Sequence, residues 1–410
     1  MTSPSFVEMR RRNAQMILDV VRRKPGVSRA DLSREVDLAR ATVSSIVDEL
    51  IGLKILEESG SKTSLRGRKP IGLNFKPNSK TSIGISIEDN RAQISLCDLN
   101  GRQLASQQVV YKAIDLDGQA AIIKLLEQIL RTHSDFRRIY AITLALPGPL
   151  HITGSDRQNK AAPDRFAPLV TMLEGHFGRK LALATNIEMA ALAETHAEQA
   201  ECEDELLAFV RIGHNLRVTF LQNNAFLNQF SQMGGNLGEL IFPMQNATLA
   251  RLWEPSDMSG VSINELAGEP MLLSNARKAG LAVETLDELV ILASKKDPIA
   301  IDLLDLAADG VAYGLASLIN IIGPSRLILA GYLPDNHGSF LPRADLTTRQ
   351  LLKKTNNNAA LIQPIIQKSV MDRGAESYGA ALFGLSLENI LPPLKGSQRK
   401  DREARNSKTS

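Results

Sequence analysis

The sequence predicts an α/β protein in two parts, a small basic head of three helices and two strands, followed by a large body of two lobes. Three observations support this prediction. Residues 1–76 hold 15 Lys and Arg against 9 Asp and Glu, a net charge of +6, whereas the whole 410-residue chain carries only +3. The same residues contain three helical patterns and two short strand patterns. A strand–turn–strand pattern then occurs twice in the rest of the chain.

The head begins with a helical pattern from Asn13 to Lys24, which a Pro-Gly pair ends. Ser28 opens a second helix, and Asp31 three residues later resembles a capping box in which Asp replaces the usual Glu. The turn Val36-Asp37-Leu38 is followed by ARATVSSIVDELIGL, whose apolar residues form one helical stripe. Three helices with a tight turn between the second and the third predict a helix-turn-helix.

Two strand-like segments, Ile55–Glu58 and Ile71–Phe75, flank the basic loop SGSKTSLRGRKP, so the head is predicted to be a winged helix-turn-helix. Its third helix would place an arginine and hydroxyl groups in the major groove of DNA, and arginines on the wing favour a narrow minor groove. The alternative is a small helical subdomain that binds protein through ordinary solvated charges. The predicted DNA contacts are Arg29, Arg40, Ala41, Thr42, Ser44 and Ser45 in the helices and Arg66, Arg68 and Lys69 in the wing.

The body repeats one unit. TSIGISIEDNRAQISLCDLNGRQL predicts two strands around a turn and the start of a third, and ELLAFVRIGHNLRVTFLQNNAFL repeats that shape. Two copies of a hairpin-plus-αβ unit suggest the two-lobed architecture of the actin-like sugar kinases. We therefore expect a head at residues 1–76, a linker at 77–81, a body at 82–390 and a disordered basic tail at 391–410.

Composition excludes several classes of protein. The chain has two cysteines, too few for a disulfide framework, and this suggests a reducing cytosol. It has no apolar signal core near its first residue and no uninterrupted apolar stretch of membrane-spanning length. The sequence therefore predicts a soluble cytoplasmic protein with no membrane partner.

Four segments together resemble one family: the Gly-Arg-Lys-Pro wing (Gly67–Pro70), ALPGPL at 145–150, TNIEMAALAE at 185–194 and GGNLGEL at 234–240. The chain resembles the ROK family (repressors, open reading frames and kinases), in its repressor branch, from about Asn13 to about Leu387. The resemblance implies a ribonuclease H-like, actin-like sugar-kinase fold for the body. It also implies a homodimer or higher homo-oligomer, double-stranded operator DNA as a partner, and a sugar or sugar-derived effector.

The motifs that bind ATP in the family's kinases are altered. Residues 86–90 read Ser-Ile-Glu-Asp-Asn where the kinases resemble Asp-x-Gly-Gly-Thr, and carboxylates in that turn would repel phosphate. The second phosphate loop, residues 213–218, keeps one glycine and gains Arg217, a candidate contact for an anion. Tyr332 follows Gly331 where the family has paired glycines. We expect no ATP and no cofactor.

The catalytic and metal positions are altered as well. Asn186 is followed by Ile187, where the kinases carry the Asp that acts as general base, and an alkyl group cannot accept a proton. Glu188 is turned about 100° further around the helix, so it is a poor replacement. Phe242 stands where the family's zinc site has a His, and no cysteine follows Cys202. We expect no catalytic residue and no metal.

Asn186 and Glu239 match ROK positions that contact the sugar, so both are candidate effector contacts. The simpler alternatives are that Asn186 caps the following helix and that Glu239 pairs with a neighbouring cation. The leading hypothesis is a sequence-specific DNA-binding transcriptional regulator, a repressor with a catalytically dead effector domain. The alternatives are a ROK-type sugar kinase with an attached DNA-binding head and a DNA-binding dimer that needs no ligand.

Overall fold

A computed structural model describes residues 6–59, 71–76, 79–88, 90–133, 139–148, 150–152, 160–197, 205–222, 225–227, 235–242, 260–355, 364–371 and 374–385. The chain divides into two compact units. Unit 1 contains Met1–Leu150, Lys160–Ala190 and Gly374–Ser410, and unit 2 contains His151–Asn159 and Ala191–Arg373. Within the described residues, no helix is long and apolar enough to cross a membrane.

The head of unit 1 is the predicted winged helix-turn-helix. Ser28 begins the second helix and its Oγ accepts a hydrogen bond from the Asp31 backbone N–H at 3.2 Å, which confirms the predicted cap. Asp37, in the turn before the third helix, has a left-handed φ of 48°. Three strands pair antiparallel in the order β1-β3-β2. The elements are α1 (Phe6–Arg23), β1 (Val27–Ser28), α2 (Arg29–Glu35), α3 (Arg40–Gly52), β2 (Leu56–Ser59) and β3 (Gly72–Phe75).

The first copy of the predicted repeat forms a five-stranded sheet in the order β10-β7-β4-β5-β6. β4, β7 and β10 are parallel, so their carboxyl ends lie at the same edge of the sheet. The first strand begins at Thr81, the last residue of the predicted linker. The elements are β4 (Thr81–Ile87), β5 (Arg91–Asp98), β6 (Gln103–Val110), α4 (Leu116–His133), β7 (Ile139–Leu146), β8 (His151–Ile152), β9 (Lys160–Ala161), α5 (Ala167–Phe177), β10 (Ala182–Thr185) and α6 (Asn186–Ala197).

The second copy forms a sheet in unit 2 with the order β13-β12-β11-β16-β17, which confirms the predicted duplication. As in unit 1, an antiparallel hairpin is extended on its other side by parallel strands. Its elements are β11 (Leu206–Ile212), β12 (Leu216–Gln222), β13 (Ala225–Phe226), β14 (Ile241–Phe242), β15 (Val261–Ser262), α7 (Ile263–Ala267), α8 (Glu269–Lys278), α9 (Leu286–Ser294), α10 (Pro298–Ile321), β16 (Arg326–Gly331), α11 (Tyr332–Asn336), α12 (Phe340–Thr355) and β17 (Ile365–Lys368).

The core of unit 2 is built around the long helix α10. The Asp297 carboxylate accepts hydrogen bonds from the Ile299 and Ala300 N–H groups at the start of this helix, with Pro298 at its first position. Its buried residues pack with the inner face of the β11–β12 hairpin in one apolar cluster. The apolar residues of α10 therefore lie in the core of unit 2.

One further helix, α13 (Ala375–Gly384), completes unit 1 although it lies near the end of the described chain. It packs on β4 so closely that a Cβ on Gly84 would lie 1.9 Å from the Ser377 carbonyl oxygen. The Ser95 and Ser377 hydroxyls are 2.8 Å apart in the same buried layer. Glycine and serine are the residue types that allow such an approach of a helix to a sheet.

The head and the first lobe share a hydrophobic core. The buried residues of the three head helices form one cluster with four buried residues of the lobe. Two come from the end of β5 and the residue after it, and two from α13 and the residue after it: Cys97, Leu99, Ala381 and Leu385. The Lys80 ammonium also lies 5.5 Å from the centre of the Tyr140 ring. The boundary at residues 77–81 stays a prediction, but the head packs against the lobe along this cluster.

Candidate DNA-binding surface and effector site

The third head helix, α3, has one buried face and one exposed face. The buried residues recur at helical spacing and so form one stripe along the helix: Val43, Ile46, Val47 and Leu50. The predicted DNA contacts of this helix lie on its remaining surface. Three of them are exposed, Arg40, Ala41 and Ser45, and two are half-buried, Thr42 and Ser44.

Arg29, the predicted contact on α2, donates to carboxylates. Its Nη1 lies 2.7 Å from Asp48 Oδ1 on α3, and its Nη2 lies 2.9 Å from Glu58 Oε1 on β2. Burial lowers the pKa of Arg29, but the hydrogen bonds to these two carboxylates outweigh burial and raise it. Arg29 therefore joins α2, α3 and β2, and this geometry favours a structural role over a direct contact with DNA.

Arg10, which is not among the predicted DNA contacts, reaches α3 from α1. Its Nη2 lies 2.7 Å from Glu49 Oε2 and 3.1 Å from Ser45 Oγ. Arg10 and Glu49 are 39 residues apart in the sequence, so no local sequence pattern indicates this contact. The predicted wing contacts Arg66, Arg68 and Lys69 lie outside the described residues, as does the predicted tail.

Asn186 occupies the first position of α6, at the carboxyl end of β10. The cap of this helix is Thr185, because its Oγ1 accepts from the Glu188 N–H at 3.3 Å while Glu188 Oε2 accepts from the Thr185 N–H at 3.0 Å. The alternative in which Asn186 is the cap is therefore wrong. The same bonds hold the Glu188 carboxylate against Thr185.

The Asn186 side chain has a buried acceptor. Its Nδ2 donates to the Ile87 carbonyl at the end of β4 at 2.9 Å. Only 9% of the residue is exposed, and Oδ1 has no hydrogen-bond partner among the described residues. A buried acceptor without a partner costs about 1–3 kcal/mol, so it indicates a place where a ligand hydroxyl would be stabilising.

The turn after β4, where the kinases have their first phosphate loop, is held by side chains. Arg91 Nη2 lies 2.7 Å from Glu88 Oε2. The Tyr111 hydroxyl is within hydrogen-bond distance of the Glu88 carbonyl, at 2.6 Å, and of the Arg91 carbonyl, at 3.0 Å. Asp89, the other carboxylate expected to repel phosphate, lies outside the described residues.

Glu239 lies in unit 2, in a short 3-10 turn, and is exposed. Its Oε1 accepts from Asn264 Nδ2 at 2.9 Å, and Asn264 Oδ1 accepts from the Leu216 N–H at 2.8 Å. Burial lowers the pKa of Arg217, and the Glu239 carboxylate partly offsets this effect. Glu239 therefore has an amide partner, and its pairing with a cation stays a prediction.

The position of the family's zinc-binding His is apolar. Phe242 packs in a cluster with Val261, Leu266 and Leu306, and its ring centre lies 5.7 Å from that of Tyr313 in an edge-to-face arrangement. Residues 243–259 lie outside the described residues. Within the part of the chain that the structure describes, no cluster of His, Cys, Asp and Glu could hold a metal.

The ends of β11 and β16, where the kinases bind nucleotide, are closely packed. The Gly213 carbonyl accepts from the Glu269 N–H at 2.9 Å. Gly331 has φ 138°, and a Cβ there would lie 2.0 Å from the Ile212 carbonyl oxygen. The Tyr332 hydroxyl donates to Asp287 on α9. Two glycines and a tyrosine therefore fill this corner with contacts inside unit 2.

Comparison with known proteins gives two family matches. The model described as "ROK family" matches residues 82–385, and the model described as "Winged helix-turn-helix DNA-binding" matches residues 10–52. The N-acetylglucosamine repressor of Escherichia coli O157:H7 is 23% identical over 381 residues, which cover 89% of this chain and 92% of the relative.

Two solved structures show the same fold. A ROK family transcriptional regulator, described as a homologue of the E. coli Mlc protein, has a TM-score of 0.73 at 21% identity and covers 93% of this chain and 98% of its own. The ROK hexokinase of Thermus thermophilus has a TM-score of 0.57 at 23% identity and covers 74% of this chain and 97% of its own. The regulator alignment includes the head, whereas the hexokinase covers a smaller share of this chain.

Proposed function

Because the chain belongs to the ROK family, we propose that it is a sequence-specific DNA-binding transcriptional repressor controlled by a sugar or sugar-derived effector. Its ROK domain binds this effector and does not transform it. The observation that carries the proposal is that the winged helix and the Asn186 site belong to one compact unit and are joined by α13. A relative named as an N-acetylglucosamine repressor, aligned over 92% of its length, supports the same function.

The exposed face of α3 is the DNA-reading surface in this proposal. Arg40 begins the helix and is exposed, so its guanidinium can reach a base edge or a phosphate. The proposal includes a homodimer that places two heads on the half-sites of a pseudo-palindromic operator. Wing cations would add salt-sensitive affinity.

Arg40→Ala is expected to weaken operator binding about 10-fold or more, because it removes one base or phosphate contact. The probe is a duplex selected from random DNA by the full-length protein, and binding is measured by fluorescence anisotropy at several salt concentrations. The matched control is Arg131→Ala, which removes an exposed arginine from α4 and should leave binding unchanged. Tight binding that ignores DNA sequence at every salt concentration would contradict the proposal.

The effector site is proposed at the carboxyl edge of β4, β7 and β10, with Asn186 as its first contact. The unsatisfied Oδ1 would accept a hydrogen bond from a sugar hydroxyl while Nδ2 remains bonded to the Ile87 carbonyl. Glu239 stays a second candidate, and its effect is tested separately because it lies in unit 2. Because several kinase motifs are altered, the alternatives to a sugar effector are an atypical effector or a domain that binds no effector.

Asn186→Ala is expected to abolish the rise in melting temperature that an effector gives to the wild-type protein, because the hydroxyl loses its acceptor. The screen uses N-acetylglucosamine, glucose, xylose and their phosphates. Asn275→Ala is the matched control, since Asn275 is also a buried Asn that donates to a backbone carbonyl, but lies in unit 2. Loss of the ligand response in both variants, or in neither, would argue against a contact by Asn186.

Effector occupancy would reach the head through α6 and α13. A Cβ on Gly379 would lie 1.7 Å from the Met189 carbonyl, so α13 touches α6 one turn after Asn186. Ala381 and Leu385, further along the same segment, belong to the core of the head. An effector that prefers one arrangement of α6 would thereby shift the arrangement of the head.

A sugar-kinase activity is the competing function, since the fold also occurs in a ROK hexokinase. The geometry argues against it: Ile187 follows Asn186, and Glu188 is bonded to Thr185. ATP-dependent phosphorylation of a hexose or amino sugar that Glu188→Gln abolishes would overturn the proposal that the domain is not an enzyme.

A further inference from the structure

The recognition helix α3 carries two neighbouring acidic residues, Asp48 and Glu49, each paired with an arginine from another helix. Asp48 pairs with Arg29 of α2 at 2.7 Å, and Glu49 pairs with Arg10 of α1 at 2.7 Å. Carboxylates on a helix that enters a DNA groove repel phosphates unless they are neutralised. The two arginines supply that neutralisation from outside the helix.

Arg10 also acts on a side chain that faces solvent. Its Nη2 lies 3.1 Å from Ser45 Oγ, one helical turn before Glu49. A guanidinium has only donors, so the Ser45 oxygen must accept this bond. A hydroxyl has one hydrogen, which is then left for another acceptor. Ser45 is exposed on the face of α3 opposite the buried stripe.

Without Arg10, the nearest strong acceptor would be Glu49 itself. Residues four apart on a helix are neighbours, so a Glu49 carboxylate released from Arg10 would take the Ser45 hydrogen. The helix would then present an occupied hydroxyl and an unpaired negative charge. Both changes would weaken DNA binding, because the base edges of the major groove and the phosphates offer hydrogen-bond acceptors.

On the basis of the proposed DNA-binding function, we propose that Arg10 is a positioning residue for sequence readout: it neutralises Glu49 and fixes the Ser45 hydroxyl as a hydrogen-bond donor to DNA. The acceptor is of the class that base edges offer in the major groove, purine N7, guanine O6 or thymine O4. Arg10 itself need not contact DNA. The protein should therefore discriminate for such an acceptor only at the base pair that Ser45 contacts.

The test uses the full-length protein, a duplex selected by that protein from random DNA, and the set of single-base-pair variants of that duplex. Arg10→Ala is expected to lower affinity about 10-fold and to remove discrimination at one base pair, as Ser45→Ala does. The double variant R10A/S45A should lose no more discrimination at that base pair than S45A alone, because the two side chains read it as one unit. R10A/E49A should recover to within about 3-fold of the wild type, since the competing carboxylate is gone.

Arg12→Ala is the matched control, because it removes the same charge from an exposed position on the same helix, about 200° around it. It should retain discrimination at every base pair. The salt dependence separates positioning from direct contact: R10A/E49A, which removes one charge of each sign, should keep the wild-type slope of log affinity against log salt. Loss of a phosphate contact by Arg10 would lower that slope by about one.

Several results would overturn the inference: additive losses of discrimination in R10A and S45A, a reduced salt slope in R10A/E49A, no recovery of affinity in R10A/E49A, or an equal loss in R12A. Should R10A fail to fold, S45A decides alone, because intact discrimination in that variant refutes a readout by its hydroxyl. A wild-type protein that selects no duplex would refute the proposed function itself. Selection by the wild type with an indifferent Ser45 would refute only this inference.

Discussion

Gly379→Ala is expected to destabilise unit 1 by about 3 kcal/mol or more. Its Cβ would lie 1.7 Å from the Met189 carbonyl oxygen, and the obstacle is backbone rather than a flexible side chain. α13 would have to move away from α6, and the apolar cluster that it shares with the head would open. Hydrogen exchange of head peptides, measured by mass spectrometry in the full-length protein, should increase.

Gly175→Ala is the control for this substitution. Gly175 lies in α5, and a Cβ there meets no atom within 4 Å. Because alanine favours a helix over glycine by about 0.5–1 kcal/mol, this variant should be equally or more stable. If head peptides of the two variants exchanged at equal rates, the close contact between α13 and α6 would not be a determinant of the head's stability.

Glu194→Ala is expected to destabilise unit 2 by about 3 kcal/mol or more, because three donors lose a charged acceptor. The Glu194 carboxylate is fully buried and accepts from the Ser369 hydroxyl at 2.6 Å, the Val370 N–H at 2.7 Å and the Met371 N–H at 3.2 Å. These bonds attach the segment after β17 to α6. The free energy of unfolding in urea measures the loss of stability. Hydrogen exchange of peptides from residues 364–371 shows whether this segment is released.

Two variants bracket that result. Glu194→Gln keeps one oxygen but turns an NH2 group towards one of the donors, so its stability should fall between those of the wild type and Glu194→Ala. Glu127→Ala removes a helical glutamate whose partner is the exposed Arg131, and such a pair contributes at most about 0.5 kcal/mol. Equal stabilities of Glu194→Ala and Glu127→Ala would show that the buried carboxylate is dispensable.

Local signals predicted much of the fold. The cap at Ser28 and the turn before α3 depend on residues within a few positions of each other, and both occur in the structure. The duplicated hairpin was recognisable because each copy repeats the same strand–turn–strand pattern. For α6, the alternative in which Asn186 is the cap is wrong, and Thr-x-x-Glu at residues 185–188 is a capping-box signature that favours Thr185.

Contacts between distant segments could not be predicted in this way. Arg29 is a predicted DNA contact, but its carboxylate partners Asp48 and Glu58 are 19 and 29 residues away in the sequence. The amide of Asn264 that holds Glu239 is separated from it by 25 residues. Sequence shows which residue types are present, whereas the fold decides which charges are satisfied by the protein itself.

The position of α13 in the chain has a consequence for synthesis. The head and the first lobe are translated early, yet the helix that completes their common core is residues 375–384. During translation, most of unit 2 leaves the ribosome before unit 1 can close. A prematurely terminated chain that lacks this helix would expose the apolar surface of the head and become a substrate for chaperones and proteases. Unit 1 can therefore close only after α13 has been synthesised.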